Sequence, residues 1–268
     1  INQSERSGAA VKWFDFLLSS TIEKVDDHFS KFRISDALMT LYKLFWDDFC
    51  SWYLEIIKPG RDEEIDNQTY RSTVEFFEKL LRLLHPFMPF ITEELWQNLD
   101  IKSSEKSIMI SKMPSPSYYE PHYINSAEIC KETIVNIRSI RQSKNISPKE
   151  SLLLYANKDA VPAELFSFIN KMANIKEILP ISQKEVNGAG ASFMIGTIEF
   201  FIPLDNYVNK EEEIVKIEEE LKRLNSFLNG VNKKLENQKF VECAPKDVVE
   251  LEYKKQKDAI TKIEKLLS

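Results

Sequence analysis

Apolar residues recur at three- and four-residue steps through most of the first 143 positions, which is the spacing of one helical face. Val11, Phe14, Leu18, Ile22, Val25 and Phe29 form the first such row. Leu38, Leu41, Phe45, Phe49, Trp52 and Ile56 form the second, after Arg33-Ile34-Ser35-Asp36, where Ser35 or Asp36 can cap; Pro59-Gly60 ends it. A third helix, capped by Asp66, carries Val74, Phe77, Leu81 and Leu84. Pro86 and Pro89 break the chain, and Thr92-Glu93-Glu94 is expected to open a fourth helix, with Thr92 as cap and the carboxylates in its first turn. A fifth runs from about Asn125 with Ile129, Ile134, Ile137 and Ile140. Antiparallel helices with short links make a bundle, so residues 1–143 are read as a helical bundle.

The period changes in residues 144–208. Leu152-Leu153-Leu154-Tyr155 is a short apolar run between Pro148 and Asn157-Lys158-Asp159, and reads as a strand. Leu165, Phe168, Ile169 and Met172 fit a short helix opened by Pro162, Ile175 to Ile181 reads as a second strand, and Ser192 to Pro203 as a hairpin turning at Gly196. The expectation is a small α+β subdomain with a mixed sheet. In residues 209–268, Ile214, Ile217, Leu221, Leu224, Leu228, Val231 and Leu235 alternate steps of three and four, a heptad seam. After Glu242-Cys243-Ala244-Pro245-Lys246 a weaker seam resumes with Val249, Glu252, Gln256, Ala259, Ile263 and Leu266. Two heptad helices with a short link fold back as an antiparallel coiled-coil hairpin. The fold class expected is therefore mainly α: a bundle, a small α+β piece and a coiled-coil arm.

Composition narrows the function classes. The 268 residues carry a net charge of -6, which argues against indiscriminate coating of nucleic acid. Three Cys make neither a disulfide framework nor a four-thiolate zinc site, and six Gly include no phosphate-binding loop. No apolar run is long enough to span a bilayer, no signal peptide opens the chain, and the first residue is not Met. The expectation is a soluble cytoplasmic chain, making no membrane contact, that follows a larger body. The total charge hides a pattern. Residues 1–100 hold 11 basic and 18 acidic side chains, a net of -7, whereas residues 131–158 net +4. In the tail, residues 210–221 net -4 and residues 222–268 net +4.

Two features exceed what packing requires. Tyr42 to Glu55 places aromatics on every side of one helix, either as core between layers or as exposed platforms for unpaired bases. Ile137 to Pro148 gathers Arg138, Arg141 and Lys144, either a solvated helix end or a phosphate contact. His28, His85 and His122 are isolated, and no nucleophile–base set has supporting spacing. The chemistry expected is recognition.

These residues resemble a known family. Lys31-Phe32-Arg33-Ile34-Ser35-Asp36-Ala37-Leu38, then Leu44-Phe45-Trp46-Asp47-Asp48-Phe49-Cys50-Ser51-Trp52-Tyr53-Leu54-Glu55 with Lys58-Pro59, are similar to the C-terminal part of bacterial valyl-tRNA synthetases, class I aminoacyl-tRNA synthetases. So is Leu83-Leu84-His85-Pro86-Phe87-Met88-Pro89-Phe90-Ile91-Thr92-Glu93-Glu94-Leu95-Trp96, a run shared more loosely by the leucine, isoleucine and methionine enzymes. The stretch Lys234 to Val249 resembles the link of the valine enzyme's coiled-coil arm. The resemblance implies an anticodon-binding bundle, an arm that packs on the tRNA elbow, and tRNA(Val) and the enzyme's own N-terminal catalytic domain as partners. The family's catalytic motifs, His-Ile-Gly-His-like and Lys-Met-Ser-Lys-Ser, do not occur here. ATP and magnesium are then needed by the catalytic domain and no cofactor by this piece, which is expected to be a monomer and inactive alone.

On that footing Arg33, Phe45, Trp46, Asp48, Trp52 and Lys58 are candidates for the anticodon site. Arg138, Arg141 and Lys144 are candidates for backbone phosphates, and Lys233, Lys234, Lys239, Lys254 and Lys257 for the elbow. The competing reading is a structural protein that self-associates through its coiled coil.

Overall fold

The computed structural model describes residues 2–61, 63–99, 107–157, 159–183, 190–204, 210–235, 251, 253, 254, 256 and 257. The chain is mainly helical with one small sheet, and it divides into two compact units, residues 1–204 and 205–268.

Helix α1 spans Glu5–Ser30, with Ser4 as N-cap accepting from the Ser7 amide. Its predicted row is covered, and Ala10 and Trp13 on the neighbouring face are buried as well. The helix therefore runs through the core, not along its edge. Phe14 is the centre, with Phe49, Tyr53 and Phe76 at centroid distances of 5.2, 5.0 and 5.1 Å.

The next helical run has three parts: α2 (Ile34–Tyr42), a π-helical segment (Lys43–Tyr53) and α3 (Leu54–Ile57). This corrects two expectations. Neither Ser35 nor Asp36 caps it: the N-cap is Arg33, without a side-chain bond, and the turn is made by Phe32 in the left-handed region at φ 56°. The buried row is also not the one that α-spacing gives. Leu41, Leu44, Phe49, Tyr53, Ile56 and Ile57 are buried, while Phe45 and Trp52 are half-exposed and Leu38 is exposed. The cause is the i→i+5 bonding of the π segment, which widens each turn and moves the inward position along by a residue.

Helix α4 (Asn67–Leu84) is capped by Asp66, whose Oδ1 accepts from the Thr69 amide at 2.8 Å, as the sequence predicts. Helix α5 (Pro89–Asn98) begins three residues earlier than Thr92. Pro89 stands at its first position, where a missing N–H costs nothing, and Met88 is the cap. Thr92 is instead buried in the helix, donating to the Met88 carbonyl and bonded to His85 Nδ1 at 2.7 Å. Pro121 plays the same role for α6 (Pro121–Ser143), which starts ahead of Asn125.

The sheet is mixed, in the order β2-β1-β4-β3, from β1 (Leu152–Ala156), β2 (Ile175–Pro180), β3 (Gly190–Ile195) and β4 (Ile198–Pro203). β1 and β2 run parallel, joined across α7 (Phe166–Ala173), and β3 and β4 form the hairpin, with Gly196 at φ 57° in its turn. Trp13 meets Phe168 at 6.0 Å, so α7 packs directly on α1.

In the second unit, α8 spans Lys210–Leu235. From Leu221 onward the seam positions Leu221, Leu224, Leu228, Val231 and Leu235 are at least partly covered, while most others are exposed. Gln256 Nε2 donates to Asn232 Oδ1 at 2.8 Å.

Candidate nucleic-acid interface

The π segment sets the surface as well as the core. Trp46 is 57 % exposed and Tyr42 54 %, and the two rings stack at 6.4 Å with 9° between planes. A flat, solvent-facing aromatic pair of this kind is what an unstacked base can lie on. Tyr42 was not among the expected site residues; its signal was its place one helical turn before Trp46.

The other rings of the segment divide differently. Phe45 is half-buried against Phe49 and Phe77, at 6.2 and 6.4 Å, and so belongs largely to packing. Asp48 is buried, and its carboxylate accepts from Lys131 Nζ at 2.7 Å. Burial pushes the Asp48 carboxyl up, against the pull of Lys131. Burial also pushes Lys131 down, but Asp48 and Glu128 outweigh it and hold the ammonium above its ordinary value. Two carboxylates, of Asp48 and Glu128, lie within 2.9 Å of the nitrogen.

Trp52 is the junction between the aromatic helix and α6. Its ring lies under Lys131 Nζ at 5.4 Å and under the Arg138 guanidinium at 5.9 Å. Arg138 is exposed and donates to the Met172 carbonyl at 2.9 Å. Arg141, three residues on, is buried: it donates to the carbonyls of Ser147 at 2.9 Å, Ala173 at 2.9 Å and Asn174 at 3.2 Å. Its guanidinium ties the loop after α6 to the end of α7. Lys144 caps the C-terminus of α6 and is half-exposed.

Arg33 and Lys58 lie at opposite ends of the helical run 34–57. Arg33 pairs with Asp27 at 3.3 Å and Asp36 at 3.8 Å, and Lys58 with Glu55 at 3.1 Å, all well exposed. Exposed pairs of this kind exchange readily for an anion and add little to stability. In the second unit Lys234, Lys254 and Lys257 are exposed. Lys233 lies on α8, its side chain outside the described set, and Lys239 lies outside the described residues.

The structure thus brings Trp52, Lys131 and Arg138 together, with the Tyr42–Trp46 pair on the same helical run. Among the described residues no helix is long and apolar enough to cross a membrane.

Residues 11–156 match the family model for the anticodon-binding domain of tRNA ligase, and residues 209–268 that for the valyl tRNA synthetase tRNA binding arm. Valine–tRNA ligase of Parabacteroides distasonis is 48 % identical over 267 residues, covering 99 % of this chain. Those of Phocaeicola vulgatus and Enterococcus faecalis are 46 % and 33 % identical over 99 % and 98 % of it. The chain spans about 30 % of the length of these relatives.

Proposed function

The chain belongs to the anticodon-binding domain family of tRNA ligases, with the tRNA-binding arm of valyl-tRNA synthetase as its tail, and we propose that it recognises tRNA(Val) on behalf of a valine–tRNA ligase without itself performing chemistry. The helical region holds the anticodon loop. The tail, as an antiparallel coiled-coil hairpin, contacts the tRNA elbow; its half-covered seam on α8 and the Asn232–Gln256 bond support that arrangement. The observation that carries the reading is the exposed Tyr42–Trp46 stack on the helical run that also places Trp52 beneath Arg138.

Each piece then has a task. Trp46 and Tyr42 supply a stacking face, Arg138 and Lys144 meet phosphates, and Arg33 and Lys58 exchange carboxylate partners for the backbone. Asp48 acts indirectly, by holding Lys131 beneath the aromatic helix. Lys233, Lys234, Lys239, Lys254 and Lys257 serve the elbow. In the whole ligase, valine is joined to tRNA with ATP and magnesium in the catalytic domain, which is this chain's protein partner. The setting is the cytoplasm and the chain acts as a monomer.

Titration of the chain with tRNA carrying a valine anticodon tests this. The expected result is binding whose logarithm falls linearly with the logarithm of salt. No affinity even at low salt overturns it.

A further inference from the structure

We propose that the cleft between the C-terminal ends of α6 and α7 takes up one unstacked nucleotide of the bound RNA, an inference that rests on the tRNA-binding reading above. The cleft holds about 550 Å³, within the range of pockets that enclose small ligands. It lies entirely within the first unit, and among the described residues no carboxylate lines it.

Its walls differ in chemistry. The floor is apolar, built from Ile146, Met172 and Ala173. The rim is cationic, with Arg138 on α6 and Lys171 on α7. The exposed side-chain amides of Gln142 and Asn145 line it as well, and neither has a hydrogen bond to any described residue. A bare phosphate would use the rim and leave the floor and the amides idle. A nucleotide uses all three: the base lies on the apolar floor, its edge meets amides that offer donor and acceptor together, and its phosphates meet Arg138 and Lys171.

The cleft is also preformed. Asn145 and Asn174 both sit in the left-handed region, at φ 53° and 51°, and turn the chain out of α6 and α7. The Asn174 amide donates to the carbonyls of Pro148 at 3.1 Å and Glu150 at 3.0 Å. Buried Arg141, which also lines the cleft, bridges the same two segments and so acts as a positioning residue. Arg138, laid against Trp52, joins this cleft to the aromatic helix. An RNA strand crossing Trp52 therefore passes the cleft mouth.

Chemical probing of tRNA carrying a valine anticodon, with the full chain and with the double variant Gln142→Ala/Asn145→Gly, tests the assignment. Glycine keeps the left-handed turn, and both side chains are exposed. The wild-type chain is expected to shield the pairing edge of one single-stranded nucleotide. The double variant should raise reactivity there by about tenfold while the remaining footprint persists. Lys171→Ala should lower the salt slope of binding by about one. An unchanged footprint in the double variant overturns the cleft assignment alone. Absence of any footprint from the wild-type chain overturns the tRNA-binding reading, and the cleft with it.

Discussion

Lys131 Nζ lies 2.7 Å from Asp48 Oδ1 and sits between two indole rings, 5.5 Å from the Trp13 centroid and 5.4 Å from that of Trp52. One ammonium thus connects α6 to α1 and to the π segment. A buried ion pair adds little net stability, but removing one partner strands the other charge. Lys131→Met should therefore destabilise the fold by about 3–5 kcal/mol in urea unfolding. Asp48→Leu/Lys131→Met together should recover most of that loss. Equal losses in the single and double variants would show that the lost contacts of Lys131 with the indoles, not a stranded Asp48 carboxylate, set the cost.

The Tyr42–Trp46 pair should behave in the opposite way. Both rings are exposed, so Trp46→Ala is expected to change stability by less than about 0.5 kcal/mol. The same change should weaken tRNA binding by about 1–3 kcal/mol, the worth of one stacked base. The part of the tRNA-induced tryptophan quenching that Trp46→Ala abolishes reads the contact, and unaltered affinity of the variant would remove this pair from the interface.

Arg141→Lys should not substitute for arginine. One ammonium cannot span the Ser147, Ala173 and Asn174 carbonyls that the guanidinium now joins. A loss of about 1–3 kcal/mol is expected, with faster amide hydrogen exchange at the α6–β1 loop.

Alkaline pH should unfold the protein through Tyr53. Burial pushes its phenol from the ordinary 10.0 up to about 12, and its hydroxyl is bonded to Thr73 at 2.8 Å. Between those values the unfolded chain has released the proton while the native fold still holds it, so stability is intact below pH 10 and falls toward pH 12. Cys130, buried and pushed to about 12, acts in the same direction from 9.0. Tyr53→Phe should flatten only part of the slope, as measured by denaturant midpoints across that range.

Leu224→Asp places a charge on the seam of α8. If the arm is an internal hairpin, the variant should lose helical circular dichroism while its sedimentation stays that of a monomer at every concentration. A concentration-dependent dimer that the variant abolishes would favour the self-association reading instead.

Apolar spacing and short apolar runs place α1, α4, α7 and the four strands, although α1 buries a second face through Ala10 and Trp13 that the spacing does not give. That spacing misplaces the row after Leu41 because it is read on the assumption of i→i+4 bonding, and the π segment bonds otherwise. It places the start of α5 too late because Pro89 reads as a breaker and not as a first helical residue, and the start of α6 at Pro121 lies ahead of the apolar row that marks the helix. Asp48 and Arg141 look like surface charges in the sequence; their burial depends on partners 83 residues away and, for Ala173, 32 residues away, which no local pattern reveals. The exposed stack was legible only as an excess of aromatics, since which rings face outward follows from the π turn.

The wide turns between Lys43 and Tyr53 also act as a phase adjuster. Deleting one residue there and letting the segment relax to ordinary helix would rotate everything beyond it by about 100°. Ile56 and Ile57 would then swing off the core and Trp52 away from Arg138, so the length of this segment is as constrained as its composition.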